Sequence, residues 1–444
     1  MTEPSGRATR DDGTTPPWFS DAKLGIFVHW GAYAVPAWAV PLGELGAVDP
    51  DEFHVSAPYA EWYANTIRIP DSPAARHHAE TYGGAPYDAF LDEWRAERFD
   101  AAGWAGLFAG AGARYVVLTT KHHDGICLWD APGTGTRNTV HRGPRRDIVG
   151  EVATAVRGAG MRFGAYYSGG LDWYRGDFPP ISRDGDLDTY RPLDDGYARY
   201  AHAHVEDLID RYAPDVLWND INWPDAGKDR LIDLFHHYHG VVPDGVVNDR
   251  WNIDRCDYLT SEYSANRDRE TAGRPWERCR GIGYSFGYNR NETAEHCLTG
   301  PALVRQLVDV VVHGGNLLLN VGPRADGTIS DLQRRPLAEL GAWLAVNGEA
   351  IFGTRPWPAT APAGCAGLTA TGTHVYAHFD GAEPAVVLPL STADAGDRPA
   401  VSLLGHGPVP ARWSPGGLHC ELPHPAGDLP GALRIGRASK GRDT

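Results

Sequence analysis

Six short apolar runs punctuate this chain, each stopping abruptly at ionisable or aromatic residues and then a Gly, Pro or polar loop. They are 24–30 (LGIFVHW), 114–124 (RYVVLTTKHHD), 162–168 (RFGAYYS), 215–220 (DVLWND), 257–263 (DYLTSEY) and 316–323 (NLLLNVGP). An unbroken run of this kind reads as a strand buried on both faces, the pattern of a parallel sheet covered by helices. Apolar residues recur at helical spacing in 87–98, 101–109, 148–159, 194–212, 229–238, 301–313 and 331–347. This alternation predicts an α/β fold, a (β/α)8-like barrel. With a shorter run at 245–248, seven strands are legible, so the barrel is expected to be irregular or incomplete.

The barrel is assigned to 18–356, after a polar leader at 1–17 that is expected to be disordered. Beyond Trp357 the helical spacing vanishes. Short runs at 368–370, 374–379, 385–390 and 400–404, separated by Gly, Pro, Asp and Ser, predict a small antiparallel β domain over 357–444. Two long polar loops, 68–82 and 173–195, read either as rims of a site or as solvated insertions.

A formal charge of −16 argues against nucleic acid, anionic membranes and polyanionic substrates as partners. No run reaches the ~18 apolar residues of a membrane span, and the N-terminus does not resemble a signal peptide. The cysteines are scattered without CxxC spacing, as free thiols in a reducing compartment would be, so the cytoplasm is the expected location.

In an α/β barrel the chemistry sits where the strands end. The ends here carry His29, His122, His123, Tyr167, Asp220 and Glu262, the inventory of an acid/base site. Asp220 reads as a carboxylate aimed into the barrel mouth, or alternatively as a turn anchor before Asn222–Pro224; Trp218 and Trp223 beside it favour the first. Glu262 repeats the construction. Two such carboxyl groups meet the needs of glycoside hydrolysis with no metal or cofactor. Glu61 and Glu277 are rivals for the acid role, although Arg274, Arg278 and Arg280 around Glu277 favour a salt-bridged structural residue. Adjacent histidines in a strand point to opposite faces, so His122 and His123 suit substrate hydroxyls better than one metal ion. His77 and His78 fall in a polar loop and receive no role.

Nine segments taken in order resemble glycoside hydrolase family 29, the retaining α-L-fucosidases: WFSDAKLGIFVHWGAYAVPAW, YAEWYA, RYVVLTTKHHDGICLWD, RFGAYYSGGLDW, DVLWNDINWP, VVNDRW, YLTSEY, RGIGYSFGYNRNE and GGNLLLNVGP. The resemblance implies a barrel followed by a β-sandwich and an exo-acting hydrolase of terminal α-L-fucosides in fucosylated glycans. It needs no cofactor and leaves a homo-oligomer open. By the same resemblance Asp220 is the nucleophile and Glu262 the general acid/base. His29, Glu61, Trp62, His122, His123, Tyr167 and Arg250 would contact sugar hydroxyls, and Phe27, Tyr59 and Phe286 would enclose the fucose methyl. Departures are Ile126, where Phe commonly follows HHDG, and a long charged segment between Glu262 and Glu277. A related exo-glycosidase for L-galactosides and an inactive sugar-binding protein are the alternatives.

Overall fold

The computed structural model describes residues 15–263, 273–379, 384–423 and 429–438. Residues 1–14, which cover most of the polar leader, and 264–272, which cover much of the charged segment after Glu262, lie outside them.

Eight parallel strands form one curled sheet: β1 Leu24–Val28, β2 Tyr115–Lys121, β3 Arg162–Ser168, β4 Val216–Asp220, β5 Val246–Val247, β6 Leu259–Glu262, β7 Trp276–Gly281 and β8 Asn316–Val321. Their order is β5-β4-β3-β2-β1-β8-β7-β6, so β5 and β6 are the two edges. No ladder joins those edges, yet their polar groups are not left bare. Asp257 N–H donates to Val247 O at 2.9 Å and Val247 N–H donates to Asp257 Oδ2 at 2.8 Å. Thr260 N–H likewise donates to Asp249 Oδ1 at 3.0 Å. One backbone bond and the Asp249 and Asp257 side chains thus bridge the seam that short β5 leaves, as buried backbone donors require.

Strand alternation divides the apolar residues into two cores. Phe27, Val117, Tyr166, Val216, Trp218, Cys279 and Leu318 point inward and pack on one another. Ile26, Val116, Ala165, Tyr167, Leu217, Leu317 and Leu319 point outward, against helices such as Gly300–Val312. The interior is full: a Cβ on Gly164 would lie 2.9 Å from side-chain carbons of both Val117 and Val216.

The eighth strand, β7, is the one missing from the sequence reading. Its WERCRG sequence breaks the apolar run, but alternation resolves the charges. Arg278 and Arg280 point away from the interior to Asp309 (2.9 Å) and Glu44 (2.5 Å), while Glu277 faces in. Two further expectations are corrected. Much of 68–82 is not a loop, because helix Pro73–Tyr82 begins where Ser72 Oγ accepts from Ala75 N–H and ends at left-handed Gly83, so His77 and His78 are helical. The 87–98 pattern yields only helix Asp88–Glu93.

After the barrel, a six-stranded antiparallel sheet that includes Cys365–Ala370, His374–Phe379 and Gly431–Gly436 faces a three-stranded one of Ala385–Leu388, Ala411–Ser414 and Gly417–Glu421. Leu368, Val375, Leu388, Leu418 and Leu433 fill the space between them. Among the described residues, no helix is long and apolar enough to cross a membrane.

Candidate active site

A cavity of about 180 Å³ opens at the carboxyl ends of the strands. It is smaller than the roughly 300–1,000 Å³ of pockets for drug-sized ligands, which suits one sugar ring better than a chain. Asp220, Glu262, Arg250, Glu61, His29, His122, His123 and Trp62 line it, with Phe27, Tyr59 and Phe286 as part of its apolar wall.

Asp220 is the last residue of β4 and nearly buried. Its Oδ2 accepts from Tyr166 O–H at 2.8 Å; its Oδ1 accepts from Arg250 Nη1 at 2.9 Å and from Ile221 N–H at 3.0 Å. Burial alone would raise its pKa, but the Arg250 guanidinium, helped by the Tyr166 hydrogen bond, outweighs burial and holds the carboxyl below its usual value. The next two residues, Ile221 (φ 54°) and Asn222 (φ 64°), are both left-handed. For a β-branched residue that is costly, of order 1–3 kcal/mol, and such conformations cluster at functional sites. Arg191 holds the turn by donating to Ile221 O at 3.1 Å.

Glu262 ends β6. Its Oε2 accepts from Arg250 Nη2 at 3.1 Å and its Oε1 from Tyr59 O–H at 3.4 Å. Here burial prevails: with the Asp220 charge adding to it and Arg250 opposing, the carboxyl is pushed above its usual value. Two neighbouring carboxyl groups are thus driven in opposite directions, the arrangement that separates a base or nucleophile from an acid. Arg250 also bonds Thr260 Oγ1 through Nε at 3.0 Å and lies 4.6 Å over the Trp218 ring.

Glu61 is deeply buried, accepts from Gly287 N–H at 2.7 Å and Ser285 O–H at 3.1 Å, and is pushed by burial up to about 7. Burial pushes His29 down to about 3 and His123 to about 4. Contrary to expectation, His122 and His123 line the same cavity, with rings 4.0 Å apart. The strand ends at Lys121, so alternation no longer governs them. Among the described residues no group of three or more His, Cys, Asp or Glu side chains is placed to hold a metal ion.

Tyr167 does not belong to the cavity. It faces outward, bonds His204 Nδ1 at 3.1 Å and sits under the Lys121 ammonium at 4.7 Å. Tyr166 is the inward residue, stacked on Trp218 at 5.5 Å, its partner in the β3–β4 register. Two adjacent tyrosines gave no compositional reason to choose. Parity with Asp220 and Trp218 across the register would have decided it. The fate of Glu277 also differs from the salt bridge expected. It accepts from Tyr115 O–H and from Trp218 Nε1–H (3.0 Å) inside the barrel and does not line the cavity. Other lining residues that the sequence did not single out are Leu45, Phe53 and His54, and Asp184 and Leu187 from the 173–195 loop.

A family model described as alpha-L-fucosidase matches residues 4–349. The human tissue alpha-L-fucosidase is 32% identical over 381 residues, 83% of this chain and 76% of that protein. The Dictyostelium discoideum alpha-L-fucosidase is 32% identical over 354 residues, 77% and 72% of the two chains. Among solved structures, a Thermotoga maritima alpha-fucosidase in complex with fucose is 43% identical, with a TM-score of 0.85 over 96% of this chain and 97% of its own. An alpha-L-fucosynthase from the same organism gives 0.87 at 44% identity, over 95% of this chain and 97% of that one. Matched over most of its length by model, sequence and fold, this chain belongs to the α-L-fucosidase family of glycoside hydrolases.

Proposed function

We propose that this exo-acting fucosidase retains anomeric configuration through double displacement. An Asp220 carboxylate oxygen attacks the anomeric carbon while the Glu262 proton passes to the departing glycosidic oxygen, giving a fucosyl–enzyme ester and a free alcohol. Glu262, now a carboxylate, takes a proton from water as the water oxygen attacks the same carbon. The ester bond breaks, Asp220 leaves as carboxylate, and α-L-fucose is released. The observation that carries this reading is the opposite displacement of the two carboxyl groups about one shared guanidinium.

In this reading His29, Glu61, Trp62, His122, His123 and Arg250 hold the sugar hydroxyls, and Phe27, Tyr59 and Phe286 face the methyl. Tyr167, expected to contact sugar hydroxyls, takes no part, and Tyr166 steadies the nucleophile through its hydrogen bond to Asp220. Residues 18–356 form the catalytic unit and 357–444 an appended β domain. Six cysteines without a disulfide support a cytoplasmic location. The deciding experiment follows an aryl α-L-fucoside by NMR from the first turnovers. α-L-Fucose as first product is expected; β-L-fucose would show inversion and remove the covalent step.

A further inference from the structure

Two imidazoles on the cavity wall have their proton positions dictated by residues behind them. Asn320, buried near the end of β8, donates Nδ2–H to the Phe286 carbonyl at 2.6 Å, which turns Oδ1 towards His29 Nδ1 at 2.7 Å. The flipped amide would set two oxygens against each other at Phe286. An amide oxygen only accepts, so the proton in the His29 contact sits on Nδ1. Ser168, the last residue of β3, has its Oγ 2.8 Å from the Leu171 carbonyl. That contact needs the hydroxyl proton, because a carbonyl has none to give. With its single proton used, Ser168 can only accept in the 2.7 Å contact with His123 Nδ1. Burial opposes a second proton on either ring. A neutral ring protonated at Nδ1 carries a bare lone pair at Nε2. In His123 that nitrogen lies 3.8 Å from Asp220 Oδ2.

We propose that Asn320 and Ser168 are positioning residues that lock His29 and His123 as Nδ1–H tautomers, so that the cavity presents two nitrogen acceptors and holds sugar hydroxyls as donors. The inference builds on the reading of this cavity as the fucose site. It adds that fucose hydroxyls meet His29 and His123 as proton donors, and that no imidazolium competes with Arg250 for Asp220. Donation to nitrogen also enriches the hydroxyl oxygen in electrons, which favours a positively charged, oxocarbenium-like transition state.

The test uses the unmodified enzyme first. Nitrogen-15 histidine spectra are expected to show two buried rings protonated at Nδ1 and bare at Nε2, assigned by loss of one signal set in His29→Gln and the other in His123→Gln. Either ring protonated at Nε2 overturns the proposal, whatever sugar the cavity takes. L-Fucose is then compared, as a competitive inhibitor, with analogues in which each ring hydroxyl in turn is replaced by hydrogen or by fluorine, which cannot donate. At two positions the fluoro analogue should bind as poorly as the deoxy analogue, each weakened about 10²-fold. Fluoro analogues within a few-fold of L-fucose at every position would overturn the donor assignment. Failure of L-fucose itself to compete would instead remove the fucose reading and leave the spectra to decide the tautomers. Ser168→Ala should blur the His123 tautomer and lower kcat/KM by roughly 10–100-fold, as for other imidazoles that lose their orienting partner. A drop in Tm with the tautomer pattern unchanged would mean a merely structural role for Ser168.

Discussion

Asp220 and Glu262 share one guanidinium: Arg250 gives Nη1 to the first at 2.9 Å and Nη2 to the second at 3.1 Å. The two carboxyl groups come from strands on opposite sides of the open seam between β5 and β6. Arg250 itself follows β5, so the residue that joins the two carboxyl groups also spans the seam. Its bonds to Asp220, Glu262 and Thr260 and its place over the Trp218 ring leave the planar fork little freedom to turn.

Replacing Asp220 by Ala should abolish turnover on every glycoside. In the proposed mechanism the covalent step runs through Asp220, and loss of a nucleophile typically costs on the order of 10⁴-fold or more. Steady-state assays on purified protein check this. Activity within tenfold of the unmodified enzyme would sink the nucleophile assignment.

Glu262→Ala should slow natural fucosides by about 10²–10⁴-fold, the usual worth of general acid help. Aryl fucosides with acidic leaving groups should suffer far less in their first step, and added azide should yield an azide adduct. Glu277→Ala serves as the control. Its carboxyl is held by Tyr115 and Trp218 below the cavity, so activity should fall without azide rescue. Rescue of Glu277→Ala and not of Glu262→Ala would exchange the two roles.

Arg250→Met should move both limbs of the kcat/KM–pH profile to higher pH. Arg250 is the leading group that holds the Asp220 pKa down and also opposes the rise of Glu262, so its removal raises both. Asp220 must be ionised, which carries the acid limb upward. Glu262 must be protonated, which carries the alkaline limb the same way. A profile that is lowered but unmoved would contradict the electrostatic role.

The apolar wall predicts sugar choice. Phe27, Tyr59 and Phe286 lie close together, with Tyr59 and Phe286 rings 5.5 Å apart. In the proposed binding mode L-galactose would place a hydroxyl against these rings, where it loses water with little to replace it. Rejection of an added hydroxyl by an apolar pocket is on the order of 10²-fold. Aryl α-L-fucoside should therefore be preferred to aryl α-L-galactoside by about that factor in kcat/KM, and Phe286→Ala should narrow the gap. Equal kcat/KM for the two sugars would refute the methyl pocket.

Much of the barrel was legible because its strands are buried on both faces, which writes each as an apolar run. Run 162–168 matches β3 to the residue, and 331–347 matches helix Asp331–Asn347. The abrupt ends of those runs also marked Asp220 and Glu262, since a carboxylate beside a buried strand needs a cavity or a partner. What the chain could not announce was set by contacts between distant segments. Strand β7 hid behind Glu277, Arg278 and Arg280 because their partners, Tyr115, Asp309 and Glu44, are far away in sequence. Whether Tyr166 or Tyr167 faces inward depends on the register against β4, and local composition is the same for both. The proton positions on His29 and His123 depend on Asn320 and Ser168, which come from other strands. Periodicity records which residues are buried; only packing across strands decides what each buried polar group is buried against.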